Sequence, residues 1–303
     1  FHLKLSYHSK YFLILFISSL TLLFTFMKVT KNIDSYNFGA KIEGLDLSKE
    51  LSEEQVNQIR QTWIENQVVF FPNQKISNEE FARFAKYFGD YGEDPYLKAM
   101  PEHNHIVEVK RSAKEKTSPF GGTWHSDWSF LKSPPVMTLL YSKIIPPVGG
   151  DTLFASTKDA CIDLEPSLRD RIKDLSGVHS AMLPYADDGF YATESEHRSM
   201  NIVTSKKAKA MQNHPIIKEH NESKLDTLFI NPVYTIGIES KSDEESFSLL
   251  TSLYEHILQD KYIYRHKWSE DTLLMWDNRS VMHMAEGGYD GHDRLLHRIT
   301  IAG

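Results

Sequence analysis

The sequence holds one cysteine, Cys161, among its 303 residues. An internal disulfide is therefore excluded, and a thiolate-rich structural zinc site is a poor reading. The neighbours of this lone thiol mark it as a core or helix residue in a reducing compartment rather than a nucleophile. Positive charge is also in short supply: 34 Lys and Arg stand against 41 Asp and Glu, a net charge of −7. A nucleic-acid partner would require a basic stripe, so that class is set aside, and the mild negative charge serves solubility. No internal repeat, low-complexity tract or clear linker is present. The 41% hydrophobic and 25% charged residues are those of an ordinary globular protein, long enough for a large core.

Long apolar runs are scarce as well, with one exception. Residues 11–27 are uncharged and almost wholly apolar, with Lys4 and Lys10 before them and Lys28 and Lys31 around and after their end. A secretory signal would need a small-residue cleavage site, which does not follow. A membrane anchor of this length sits at the lower limit for spanning. The chain begins at Phe1, and Met27 opens an ordinary soluble start, so residues 1–27 are expected to be a leader or upstream segment outside the native fold. Residues 28–303 are expected to form one domain without membrane association.

Beyond this point the periodicity is legible. Ser52 with Gln55 and Ser77 with Glu80 form capping boxes. Apolar residues follow at helical spacing: Val56, Ile59 and Trp63, then Phe81, Phe84, Ala85 and Phe88. Ser242 with Glu245 opens another helix, with Phe247, Leu250, Tyr254, Ile257 and Leu258 on its expected inner face. Residues 157–175 read as helix broken at Pro166. Strands are predicted at 68–71, 106–109, 136–141, 153–155, 228–230, 272–276 and 298–301. Residues 184–215 lack a clear period and are expected to be an insert or lid. Many short strands with a few peripheral helices indicate a mainly β fold, a sandwich or jelly roll.

The segment 123–130 has the aromatic and hydroxyl content of a strand or strand end and contains His125, Ser126 and Asp127. In a strand, residues i and i+2 share a side, so His125 and Asp127 can hold one ion while Ser126 points away. His283, between Met282 and Met284, offers a distant third donor. Two histidines and a carboxylate form the open-faced ligand set of a non-haem iron. With 14 histidines, about one chance His-x-Asp is expected. On its own the triplet reads more readily as the polar edge of a half-exposed strand, and His283 as an ordinary core or surface histidine. Their company changes the balance: Gly149, Gly150, Asp151 and Thr152 one strand later, Trp276, Asp277, Asn278 and Arg279 before His283, and Arg294 and Arg298 after it.

Taken together these residues resemble the taurine and 2,4-dichlorophenoxyacetate dioxygenases, which are iron(II)- and 2-oxoglutarate-dependent oxygenases. The resemblance runs from the segment 39–47 to Thr300 and rests on the spacing of His125, Thr152, His283, Arg294 and Arg298. It implies a double-stranded β-helix, the jelly roll of cupin-like proteins, and a cytoplasmic enzyme; a homo-oligomer is left open. It implies His125, Asp127 and His283 as ligands of Fe(II). It also implies that Arg294 takes the distal carboxylate of 2-oxoglutarate through two parallel hydrogen bonds, with the Thr152 hydroxyl giving a third. Dioxygen is the other cosubstrate. Without the resemblance, Arg294 reads as a surface arginine and Thr152 as simple strand propensity. Arg298 lies four residues after Arg294 and so on the same strand face, with His297 on the other. Two inward cations need two anions, so Arg298 is expected to meet a carboxylate or sulfonate on the substrate.

Two positions depart from the taurine-specific members. Asp94-Pro95 stands where they carry His-Pro, and Gly121 where they carry Asn. An Asp94 close to the site would repel a sulfonate and attract an ammonium, which disfavours taurine; it equally fits a solvated turn residue. The expected reaction is hydroxylation of a small organic acid, coupled to conversion of 2-oxoglutarate into succinate and carbon dioxide. A hydrolase using the same three ligands to activate water and a non-enzymatic cupin-like binding protein are the alternatives. Neither has a use for the carboxylate clamp of Thr152 and Arg294.

Overall fold

The computed structural model describes residues 27–31, 38–194 and 198–303. The leader expectation concerns a segment of which residues 1–26 lie outside the described residues. The chain opens with the strands β1 (Lys28–Lys31) and β2 (Ala40–Glu43). The sequence-predicted capping boxes at Ser52 and Ser77 are formed, as is the one at Ser242, and the first two start α1 (Glu53–Asn66) and α2 (Asn78–Lys86) on either side of β3 (Val68–Phe71). The strands β4 (Val107–Arg111), β5 (Met137–Ile144) and β6 (Thr152–Ser156) follow. Pro166 divides the next helical stretch into α3 (Thr157–Ile162) and α4 (Pro166–Ile172), because proline has no amide hydrogen to give and is tolerated only in a first turn. Then come β7 (Ser176–Ser180), α5 (Met182–Tyr185), α6 (Phe190–Glu194), β8 (Met211–Pro215), β9 (Ile217–Glu219), β10 (Asp226–Leu228) and β11 (Thr235–Ile238). The chain ends with α7 (Asp243–Ile257), β12 (Ile263–His266), β13 (Leu273–Asp277), β14 (Val281–Ala285) and β15 (Arg294–Ile301).

A large sheet runs in the order β1-β2-β3-β13-β5-β15-β4, and a smaller one in the order β12-β6-β14. The period-2 alternation of the strands decides what each face meets. On β5 and β13, Met137, Leu139, Tyr141, Leu273 and Met275 pack with Ile59 and Trp63 of α1 and with Phe81 and Phe84 of α2. Their neighbours Leu140, Leu274 and Trp276 turn the other way and join Phe154, Tyr264 and Val281 of the smaller sheet. The outer face of that sheet, through Ala155 and Met282, is covered by α3 and α7. The two sheets face each other across a shared interior, the jelly-roll arrangement of a double-stranded β-helix.

Three local expectations need correction. The buried face of α7 is set by Leu249, Leu250, Leu253 and Ile257, whereas Phe247 is 75% exposed: it lies two positions before Leu249, on the opposite side of the helix. The strand expected at 228–230 is Asp226–Leu228. Residues 184–215 are not without regular structure, for Met211–Pro215 is a strand in the sheet β11-β7-β8.

Two tests of this packing follow. Leu139 is fully buried between β5 and the two N-terminal helices, so Leu139→Ala should cost about 2–5 kcal/mol in denaturant unfolding. His179 on β7 and His266 on β12 are also buried, and loss of solvation depresses each from the ordinary 6.5 to about 3. They stay neutral in the fold while the unfolded chain takes up protons below about pH 6.5. The stability they contribute is full above that pH and falls as the pH drops toward 3, so the urea midpoint should decline from pH 7 to pH 5. A flat profile over that range would show that the two imidazoles carry charge in the fold.

Candidate metal centre

The segment around His125 is not the strand that its composition suggested. His125 forms an isolated bridge with His283 on β14. The His125 amide donates to the His283 carbonyl at 3.0 Å, and the His283 amide donates back at 2.8 Å. The chain then turns at once, and Trp128 takes a positive φ of 47°, a costly conformation for a bulky residue that its surroundings must hold in place. His125 and Asp127 nevertheless bring their donor atoms to the same place.

His125, Asp127 and His283 are all buried, and one donor atom from each lies within 4.8 Å of the others. Asp127 Oδ1 is 3.7 Å from His125 Nε2 and 3.8 Å from His283 Nε2. Nδ1 of His125 lies 2.7 Å from the Thr123 carbonyl; a carbonyl only accepts, so this nitrogen carries the proton and Nε2 keeps its lone pair. Burial pushes both imidazoles below their usual range and keeps them neutral, as metal binding requires. Burial alone would raise the Asp127 carboxyl, but the Arg298 guanidinium beside it and the hydrogen bond from Thr138 oppose that and hold it ionised. Thr138 donates to Asp127 Oδ2 at 2.6 Å and accepts from the Asn278 amide at 2.9 Å, which leaves Oδ1 aimed at the imidazoles. Two neutral nitrogens and one ionised oxygen suit a facial ligand set. Gly121 packs against this group with φ of +70°, and a Cβ there would come within 3.2 Å of His125 Cε1. A side chain at that position would crowd the His125 ring from a left-handed backbone.

Thr152, Arg294 and Arg298 line one small cavity together with His125 and His283. Thr152 leads β6, opposite Ala285 at the end of β14, and Arg294 begins β15 on the facing sheet. Arg294 is 6% exposed and donates to the Gly150 carbonyl at 3.0 Å, while its Nε is buried without a partner. Among the described residues no carboxylate lies within 4.0 Å of its guanidinium. A Cβ on Gly150, whose φ is +73°, would lie 3.2 Å from Arg294 Nε, so glycine is what lets the backbone approach. The Thr152 oxygen accepts from Trp268 Nε1 at 2.9 Å, so the hydroxyl proton is free to donate elsewhere.

Arg298 shares that face, as its spacing indicated, and His297 faces away to Asn78 of α2. Its charge, however, is met by the protein itself. Arg298 Nε donates to Asp94 Oδ1 and Nη1 to Asp127 Oδ1, each at 3.1 Å. Asp94 is no solvated turn residue: it also accepts from Trp128 Nε1 at 2.8 Å and Thr300 Oγ1 at 3.3 Å. The two-cation argument therefore does not by itself require an acidic substrate. Arg298 Nη2 remains buried with no partner.

A cleft of about 620 Å³ opens beside His125. Phe120, Leu183, Tyr185, Phe190, Tyr191 and Tyr234 wall it, and no Lys or Arg is among its lining residues. Part of the expected insert does border the site, through α5 and α6, while its later part belongs to the sheet. Sequence reading missed Tyr234, Trp128 and Trp268; aromatic residues in loops carry no periodic signal, and only the fold brings them to the metal centre.

A profile of the family described as taurine catabolism dioxygenase TauD, TfdA family, matches residues 29–300. An alkylsulfatase of Acinetobacter baylyi is 30% identical over 267 residues, covering 88% of this chain and 82% of its own length. The alpha-ketoglutarate-dependent 2,4-dichlorophenoxyacetate dioxygenase of Cupriavidus pinatubonensis is 28% identical and covers 87% and 94%. The crystal structure of a taurine dioxygenase from Burkholderia xenovorans superposes with a TM-score of 0.75 at 26% identity, covering 91% of this chain and 89% of that one. The chain belongs to the TauD/TfdA family of Fe(II)- and 2-oxoglutarate-dependent dioxygenases.

Proposed function

We propose that His125, Asp127 and His283 hold the iron, that Thr152 and Arg294 take the distal carboxylate of 2-oxoglutarate, and that the substrate is a small organic acid with an apolar body. The observation that carries this reading is Arg294, a buried guanidinium that no carboxylate of the described residues neutralises. A buried cation without a partner is costly, and a dicarboxylate cosubstrate supplies the missing charge. When bound, iron and 2-oxoglutarate would let dioxygen act as the oxidant, one oxygen atom entering a substrate C–H as C–OH and the other entering succinate, with carbon dioxide released.

The protein's own part is to position and to exclude water. Thr123 fixes the tautomer of His125, and Thr138 and Arg298 fix the carboxylate of Asp127. Arg298 Nη2 is the proposed donor to the acidic group of the substrate, with Asp94 aligning the guanidinium rather than touching the substrate. Because Asp94 and Asp127 already neutralise Arg298, the acid group contributes less to binding than it would against a bare cation. The apolar body must supply the rest, and the aromatic cleft beside His125 gives it a place. The relatives named above fit this division, since their names include both an alkylsulfatase and a phenoxyacetate dioxygenase. Residues 28–303 read as one catalytic domain, supported by the family match over 29–300. Among the described residues no helix is long and apolar enough to cross a membrane; the unpaired Cys161 supports a cytoplasmic setting.

Anaerobic titration of the iron(II)-loaded enzyme with 2-oxoglutarate, followed by the visible absorption of the chelate, tests the assignment. His283→Ala should give no band, and Arg294→Ala should need about ten- to a hundredfold more 2-oxoglutarate, the loss of a charge-assisted pair. Retention of wild-type affinity in Arg294→Ala would remove the proposed clamp. In a succinate-release screen, aryl and branched alkyl acids should outperform taurine; the reverse order would show that the cleft does not hold the substrate body.

A further inference from the structure

The strand β12 places alternate side chains on the interior face, and Tyr264 and His266 lie there, with His266 directly opposite Thr152 of β6. Trp268 continues the same alternation just beyond the strand end. It is half-buried, its ring meets that of His266 edge-on at 4.7 Å between centroids, and the next residue is tied down where Ser142 of β5 donates to the Ser269 carbonyl at 2.7 Å. Two parts of its indole touch two different residues of the proposed clamp. The ring N–H donates to Thr152 Oγ1 at 2.9 Å, and the ring face lies 6.0 Å from the centre of the Arg294 guanidinium.

We infer that Trp268 is a positioning residue for 2-oxoglutarate, acting through the hydroxyl of Thr152. This rests on the reading above that Thr152 and Arg294 take the distal carboxylate. A threonine hydroxyl has one proton and two acceptor sites, and an indole nitrogen can only donate. The bond from Trp268 therefore occupies an acceptor site and cannot consume the hydroxyl proton. With that site filled, the proton turns away from the indole, into the cavity that Thr152 shares with Arg294. Without the indole N–H the hydroxyl rotates freely, and a carboxylate must order it on binding. The ring face also lies toward Arg294, at the outer limit of a cation–π contact, and Arg294 Nε finds no partner in the protein.

Calorimetry of 2-oxoglutarate binding to the manganese(II)-loaded enzyme tests this without turnover. Trp268→Phe keeps the ring and deletes the donor; it should weaken binding about three- to tenfold, the value of one neutral hydrogen bond. Pyruvate keeps the keto-acid end and lacks the distal carboxylate, so Trp268→Phe should leave its binding unchanged. Thr152→Val should also weaken 2-oxoglutarate, and the double variant should bind no more weakly than Thr152→Val alone. Wild-type affinity in Trp268→Phe, additive losses in the double variant, or an equal loss for pyruvate would overturn the inference. If Thr152→Val itself binds as wild type, the clamp reading fails first and the role of Trp268 falls with it.

Discussion

The site depends on the pair of backbone hydrogen bonds that joins His125 to His283. One histidine sits at the end of an irregular loop and the other in the middle of a sheet strand, so nothing local holds their rings at a fixed separation. The reciprocal amide–carbonyl pair does this with groups that every residue possesses, and it leaves both side chains free for chemistry. Once the two rings are side by side, their centroids are 4.1 Å apart, and Asp127 completes the set by its position two residues along. The proposed ligand triad inherits the rigidity of β14, which is paired along its length with β6.

Around that bridge the interior is polar where a jelly roll is ordinarily apolar. Asp127, Arg298 and Arg294 are buried and the Asp94 side chain is nearly so, in surroundings where unpaired charge is expensive. Arg298 pairs with both carboxylates, and Arg294 pairs with neither. The division separates two tasks. On the proposed reading, the Arg298 cluster would shape the metal ligand and the substrate side, and Arg294 would meet an anion from solution. The strain at Trp128 fits the same economy, since the indole placed by its left-handed backbone stacks on Arg298, 5.2 Å from the guanidinium centre, and donates to Asp94.

Much of this was legible in the chain. The capping boxes at Ser52, Ser77 and Ser242, the break at Pro166, and the strand runs at 136–141, 272–276 and 298–301 are local signals that survive tertiary packing, because each is written in residues within one or two turns or strand lengths. The inward pairing of Arg294 and Arg298 followed from their spacing of four. Where the reading went astray, a single local pattern was compatible with two outcomes. The aromatic content of 123–130 suits a strand, yet one bridge and a turn are what the neighbouring β14 allows. Phe247 fits a helical stripe, but α7 meets the small sheet through Leu249 and Leu253 instead.

The sequence by itself determined the chemistry of the donors and the face on which each lies, since side-chain direction follows from backbone period alone. Only the tertiary structure decided the partners. Asp94 meets Arg298 across 204 positions of sequence, and Trp268 meets Thr152 across 116. Such contacts obey no period, because they are fixed by how strands distant in the chain are brought into register. The same holds for the aromatic cleft, whose walls come from the loop before His125, from α5 and α6, and from the turn at Tyr234. Charge, too, is a tertiary matter: a residue count showed two inward arginines, but the distances in the folded chain show which of them is already satisfied and which one is not.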